Sequence, residues 1–161
     1  MLVGKVMFMM LVTLTRTEPP DACETMEPSH EGSAQDGPPP FQFYLHKNPI
    51  VSRLSAHFAI LGSEDQQFTG FMVQVRDDAT GLPVGQFDTG CLDINTMNCF
   101  GGFANTAVHL SSEPKIDAHM RWLPDLEFHG NVTFFTTVAQ SRKVFWVRHP
   151  ARHLQVVLDA A

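Results

Sequence analysis

The sequence predicts an all-β fold, an antiparallel β-sandwich, on three observations. Apolar and polar residues alternate with a period of two in successive short stretches, and a helical period of 3.6 fits none of them as well. Polar clusters of Gly, Asp, Ser and Pro separate those stretches, as tight turns require. The 161 residues are 43% hydrophobic and 17% charged, with 13 Phe and 2 Trp. That is enough apolar volume for one core and too little length to expect a second domain.

Taken in order, the chain opens with MLVGKVMFMMLVTLT, in which Lys5 precedes an apolar run from Val6 to Leu14. A short positive segment followed by a short apolar one predicts a signal peptide over residues 1–17. The stretch Thr13 to Thr17 lacks the pair of small residues that a cleavage site favours. Residues 18–40 are rich in Pro, Gly, Ser and acids and show neither period, so they read as a lead-in whose fixed point is Cys23. The body of the sandwich is predicted over 41–148. Phe41, Phe43 and Leu45 face one way, then Leu54, Ala56, Phe58 and Ile60, then Phe71, Val73 and Val75. The second half repeats the habit with Ile116, Ala118, Met120 and Trp122, with Val132, Phe134, Thr136 and Val138, and with the apolar run Val144 to Val147. Turns are predicted at 62–65, 77–81, 111–114 and 129–130. The tail, 149–161, reads equally as one more strand or as a helical turn or two.

Composition also excludes functions. A formal net charge of −6 and a pI near 5.7 provide no basic field to displace counterions from nucleic acid. No G-x-S-x-G elbow, phosphate-binding loop, dinucleotide fingerprint or H-E-x-x-H motif occurs, so no enzyme and no cofactor is expected. No stretch beyond the N-terminus is apolar enough for a membrane helix. Of eight histidines, only His149 and His153 have the i, i+4 spacing that would pair them on a helix, and no metal site is expected there. Asp88, Asp93, Asn95 and Asn98 form an oxygen-rich loop without EF-hand spacing, better explained by turn chemistry than by calcium.

Phe71, Trp122, Phe134 and Trp146 occupy inward positions and read as core. Phe100 and Phe103 differ, because they lie in the Gly-rich stretch Cys99-Phe100-Gly101-Gly102-Phe103, a candidate binding loop at the end of the sandwich. Arg121, Arg142, Lys143, Arg148 and Arg152 concentrate late in the chain. Gathered into one patch they would suit anionic glycans or lipid head groups, although a solvated face explains them better. The three cysteines, Cys23, Cys91 and Cys99, allow one bridge and one leftover thiol, and spacing alone does not choose between the pairings. The sequon Asn131-Val132-Thr133 would accept an N-glycan in the secretory pathway.

An ordered set of short motifs resembles the reeler (reelin-type) domain. It runs from Ala22-Cys23-Glu24-Thr25-Met26-x-Pro28-x-His30 through Phe68-x-Gly70-Phe71-x-x-Gln74-Val75-Arg76 to Pro83-Val84-Gly85-x-Phe87. It continues with Cys99, Ala107-Val108-His109, Trp122-x-Pro124, Gly130-x-Val132-x-Phe134 and Phe145-Trp146-Val147. The resemblance implies an immunoglobulin-like β-sandwich in the extracellular space. It also implies a disulfide between Cys23 and Cys99, tying the lead-in to the sandwich. Cys91 departs from the family pattern, as a free thiol, a link to another chain or a competitor for Cys23. A second departure is the segment from Pro49 to Ser55, where the family's Pro-Gly turn is replaced by Lys47-Asn48-Pro49-Ile50.

The expectation that follows is a secreted, non-catalytic recognition module, similar to the family's small insect defence proteins, whose extracellular ligand is a microbial glycan or lipid. The alternative is a fragment or isoform that supplies the N-terminal interaction domain of a larger matrix or adhesion protein, or of a ferric-reductase-like membrane protein.

Overall fold

The computed structural model describes residues 21–29 and 32–159; the predicted signal peptide, the first three residues of the lead-in and His30 lie outside them. A single helical turn, α1 (Asp21–Thr25), precedes ten strands. These are β1 (Gln42–Leu45), β2 (Ile50–Val51), β3 (Ala56–Leu61), β4 (Gly70–Asp77), β5 (Gln86–Phe87), β6 (Ile94–Met97), β7 (Thr106–His109), β8 (Asp117–Leu123), β9 (Gly130–Ala139) and β10 (Phe145–Val157). They form two sheets, a four-stranded one in the order β1-β3-β8-β5 and a six-stranded one in the order β2-β10-β9-β4-β7-β6. The fold is therefore an all-β sandwich. Every pairing is antiparallel except that of β2 with β10, which is parallel.

Period-two alternation becomes two inward faces. Phe43, Phe58, Ile60, Ala118, Met120 and Trp122 from the smaller sheet meet Phe71, Val73, Val75, Val132, Phe134, Val138 and Trp146 from the larger in one buried cluster. Phe58 stacks on Phe134 across the two layers with ring centroids 4.8 Å apart, and Trp122 meets Phe134 edge-on at 5.9 Å. The Trp122 indole is fully buried, and its Nε1–H donates to the Val84 carbonyl at 2.9 Å. Gly85 follows with φ of +67°, and a Cβ there would collide with the Leu123 carbonyl oxygen and lie 2.7 Å from the Trp122 ring. Pro83-Val84-Gly85 and Trp122 thus form one packing unit.

The alternation misleads at the strand starts. Leu54 and Ile116 read as inward but are exposed, because β3 begins only at Ala56 and β8 at Asp117. Ala59 reads as outward and is fully buried, lying in register between Tyr44 and His119.

Gln74 and Arg76 also read as outward residues of β4, yet both are buried. Their cover is the lead-in, which lies across the outer face of the larger sheet. Gln74 Nε2 donates to the Cys23 carbonyl at 3.0 Å. Arg76 Nη2 donates to the carbonyls of Cys23 and Glu24 at 3.1 and 2.8 Å, and to Gln74 Oε1 at 2.7 Å. Met26 is completely buried, with its carbonyl accepting from Thr137 Oγ1 at 2.8 Å. The segment read as lacking periodicity contains α1 because this docking, and not an amphipathic stripe, orders it. At the other end, β10 runs to Val157, so the segment beyond 148 is strand and pairs with β9 and β2. Register shifts between Trp146 and His149, and between Pro150 and Arg152, bend that long strand.

Candidate functional site

Beside the docked lead-in, the outer face of the larger sheet is left open as a groove of 530 Å³. Its floor comes from alternate outward residues of three neighbouring strands, Gly70 and Met72 of β4, Val108 of β7 and Thr137 with Ala139 of β9, with Met97 of β6 beyond. Glu27, Pro28 and Ser29 of the lead-in form one wall, and Arg142, from the turn between β9 and β10, lines it as well. His109 closes one side. Its Nδ1 lies 3.2 Å from both the amide nitrogen and the carbonyl oxygen of Phe71, accepting from one or donating to the other according to tautomer. Its ring packs so closely on Gly70 that a Cβ there would come within 3.1 Å of it. His109 and Thr137 are thus committed to the scaffold, whereas Arg142 has no carboxylate partner among the described residues. The result is a trough with an apolar floor and two charged lining residues, Glu27 and Arg142; the guanidinium suits an amphipathic ligand bearing a negative group.

Cys23 and Cys99 are joined by a disulfide with Cα atoms 5.4 Å apart. Asn105 clamps the loop around Cys99, accepting from its amide and donating to its carbonyl, both at 2.8 Å. Asn98 Oδ1 accepts from the Ala104 amide at 2.8 Å. Phe100 and Phe103 project from this braced loop, 51% and 69% exposed. Neither lines the groove. Cys91 is a free thiol, half-buried against the core. Asn131, on β9, has an exposed side chain.

The remaining sequence candidates separate. His149 and His153 lie on strand β10 and not on a helix; His149 packs against Phe43, and His153 Nδ1 is 2.8 Å from Thr133 Oγ1. Burial holds the His149 pKa below its usual value. Asp88 accepts from the Gly90 amide at 2.9 Å and pairs with Arg121, while Asn95 accepts from the Thr96 amide. The late basic residues are not all gathered into one patch. Arg121 faces out from the smaller sheet, Arg142 lines the groove, Arg148 lies over the Phe135 ring, and Arg152 Nε donates to the Phe43 carbonyl at 2.7 Å. Sequence reasoning missed the groove because its residues come from the lead-in, four strands and three loops.

Comparison with known proteins gives a consistent result. The family model described as "Reeler domain" matches residues 21–161. "Defense protein l(2)34Fc" of Drosophila melanogaster is 30% identical over 142 residues, covering 86% of this chain and 86% of that protein. "Putative ferric-chelate reductase 1 homolog", also of Drosophila melanogaster, is 29% identical over 151 residues, covering 90% of this chain; the chain spans only 23% of that protein's length. Among solved structures, the human F-spondin reeler domain superposes with a TM-score of 0.62 at 14% identity, covering 78% of this chain and 94% of that one.

Proposed function

The chain belongs to the Reeler domain family, and on that premise we propose that it is an extracellular, non-catalytic recognition module of the defence type. Its ligand would be a microbial surface component that carries an acyl chain and an anionic group. The observation that carries this reading is the groove, with its apolar floor of Met72, Met97, Val108 and Ala139 and the unpaired Arg142. Two of its polar residues, His109 and Thr137, are tied to the backbone, which supports binding over catalysis. The disulfide and the relatives named as defence proteins support the extracellular setting.

The test is binding of the purified protein to lipopolysaccharide and to whole bacterial cells, against a heat-denatured control. Met72→Trp should block the trough. Arg142→Glu should weaken binding about tenfold or more, the scale of a lost charge-assisted hydrogen bond. Binding no stronger than that of the denatured control would remove the defence reading. The match to a fraction of a ferric-chelate reductase homologue supports a second reading, an interaction domain of a longer protein, in which the same groove would hold a neighbouring segment.

A further inference from the structure

The outer face of the smaller sheet carries imidazoles that neither the core nor the groove uses. In register, Tyr44, Ala59 and His119 form one cross-strand row on β1, β3 and β8. His57 and Arg121 belong to the next row, beside His46, whose amide donates to the His57 carbonyl at 3.0 Å. The small Ala59 leaves room on the diagonal, and His57 Nε2 approaches His119 Nδ1 to 3.2 Å. The two rings are inclined by only 18°, with centroids 5.3 Å apart.

A proton shared between two imidazole nitrogens occupies the place that a cation would take. Two nitrogens bound tetrahedrally to zinc at about 2.0–2.1 Å stand about 3.3 Å from one another. That is close to the separation found here. We propose that His57 and His119 form a surface binding site for a borderline divalent cation of the Zn²⁺, Ni²⁺ and Cu²⁺ class, with water completing the coordination. Imidazole ligands select that class over hard cations such as Ca²⁺ and Mg²⁺. Among the described residues no group of three or more His, Cys, Asp or Glu side chains is arranged to hold a metal ion. The site therefore has two protein ligands and open positions, unlike a closed structural zinc centre.

The surroundings are compatible with a cation. Asp117 Oδ2 lies 3.9 Å from His119 Nε2, the nitrogen facing away from the site, and adds a negative charge beside it. Arg121 opposes cation binding, but its charge is met by Asp88. His46 is held by the Tyr44 hydroxyl at 3.1 Å. Burial, and then the neighbouring His119, His46 and Arg121, lower the His57 pKa.

The test titrates the protein with ZnCl₂ and NiCl₂ by calorimetry at neutral pH, comparing wild type with H57Q, H119Q and H153Q. One cation should bind, and H57Q or H119Q should each weaken it about tenfold or more, at least the loss seen when a ligand's supporting partner is removed. H153Q should bind as wild type does. In parallel, substoichiometric Cu²⁺ should broaden the NMR signals of His57 and His119 before those of any other histidine. This second measurement uses the unsubstituted protein, so a misfolded variant leaves it decisive. Equal affinity in H57Q, H119Q and wild type, or earlier broadening at another histidine, would overturn the proposal.

Discussion

Replacing Cys23 and Cys99 together by Ala removes the cross-link that closes a sequence separation of 76 residues. On the chain-entropy model that closure stabilises the fold by about 4.5 kcal/mol. The consequence for the lead-in follows from what else holds it. Met26 is fully buried, worth about 2–3 kcal/mol. The hydrogen bonds from Gln74, Arg76 and Thr137 to the carbonyls of Cys23, Glu24 and Met26 contribute about 5 kcal/mol together, those from the guanidinium being the stronger. Against these stands the cost of ordering residues 21–29, about 9 kcal/mol at the low end of the backbone scale. Without the cross-link, docking is unfavourable by a kilocalorie or two; with it, docking is favourable by a few.

The expected result is thus a partial release. Residues 21–29 lose amide protection in hydrogen exchange, while β4 and β9 keep theirs, because Gln74 and Arg76 face outward and find water once uncovered. Urea denaturation should show a loss of about 2–4.5 kcal/mol, bounded above by the closure entropy. Ligand binding in the groove should fall with the loss of the Glu27–Ser29 wall. A double variant with the lead-in still protected and stability within about 1 kcal/mol of wild type would refute the reasoning, since side-chain contacts alone would then suffice to dock the segment.

Three further outcomes are expected. Gly85→Ala should cost about 2–4 kcal/mol in denaturant titration, from the positive φ and the collision with Trp122 and the Leu123 carbonyl; a neutral result would show that the 83–85 turn repacks freely. The folded-state pKa values of His57 and His149 lie below the ordinary 6.5, by burial first in both and, for His57, by neighbouring cations as well. The unfolded chain therefore takes up protons first as pH falls, and stability should decline from about pH 6.5 down through the lower folded values, then level off. H57Q/H149Q should flatten that slope measured by thermal melts. Expressed in a eukaryotic secretory host, the protein should lose its glycosidase-sensitive mass increment in Asn131→Gln, because the Asn131 side chain is exposed on β9; an increment that survives the substitution would place any glycan elsewhere.

Local periodicity was a sound guide wherever burial depended on the sandwich alone. Phe58, Val73, Trp122 and Phe134 are core residues in the sequence pattern and in the structure, because alternate side chains of a strand must take opposite faces. It failed at Leu54 and Ile116, which precede their strands, and at Gln74 and Arg76, whose outer face is covered by a segment some fifty residues earlier. The motif strings containing Cys23, Gln74 and Arg76 pointed to the lead-in without revealing their contact. The groove was not legible at all, since its floor alternates through β4, β7 and β9 and its wall is the lead-in.

The histidines show the same division. Spacing along the chain singled out His149 and His153, which the strand geometry assigns to different partners. The pair that meets is His57 and His119, 62 residues apart. By itself the sequence determined the all-β class, the inward faces and the chemistry available to each position, because these depend on neighbours two residues away. Only the tertiary structure decided which outward faces are covered and which distant side chains share a surface, because strand order and the docking of the lead-in are set by pairings between remote parts of the chain.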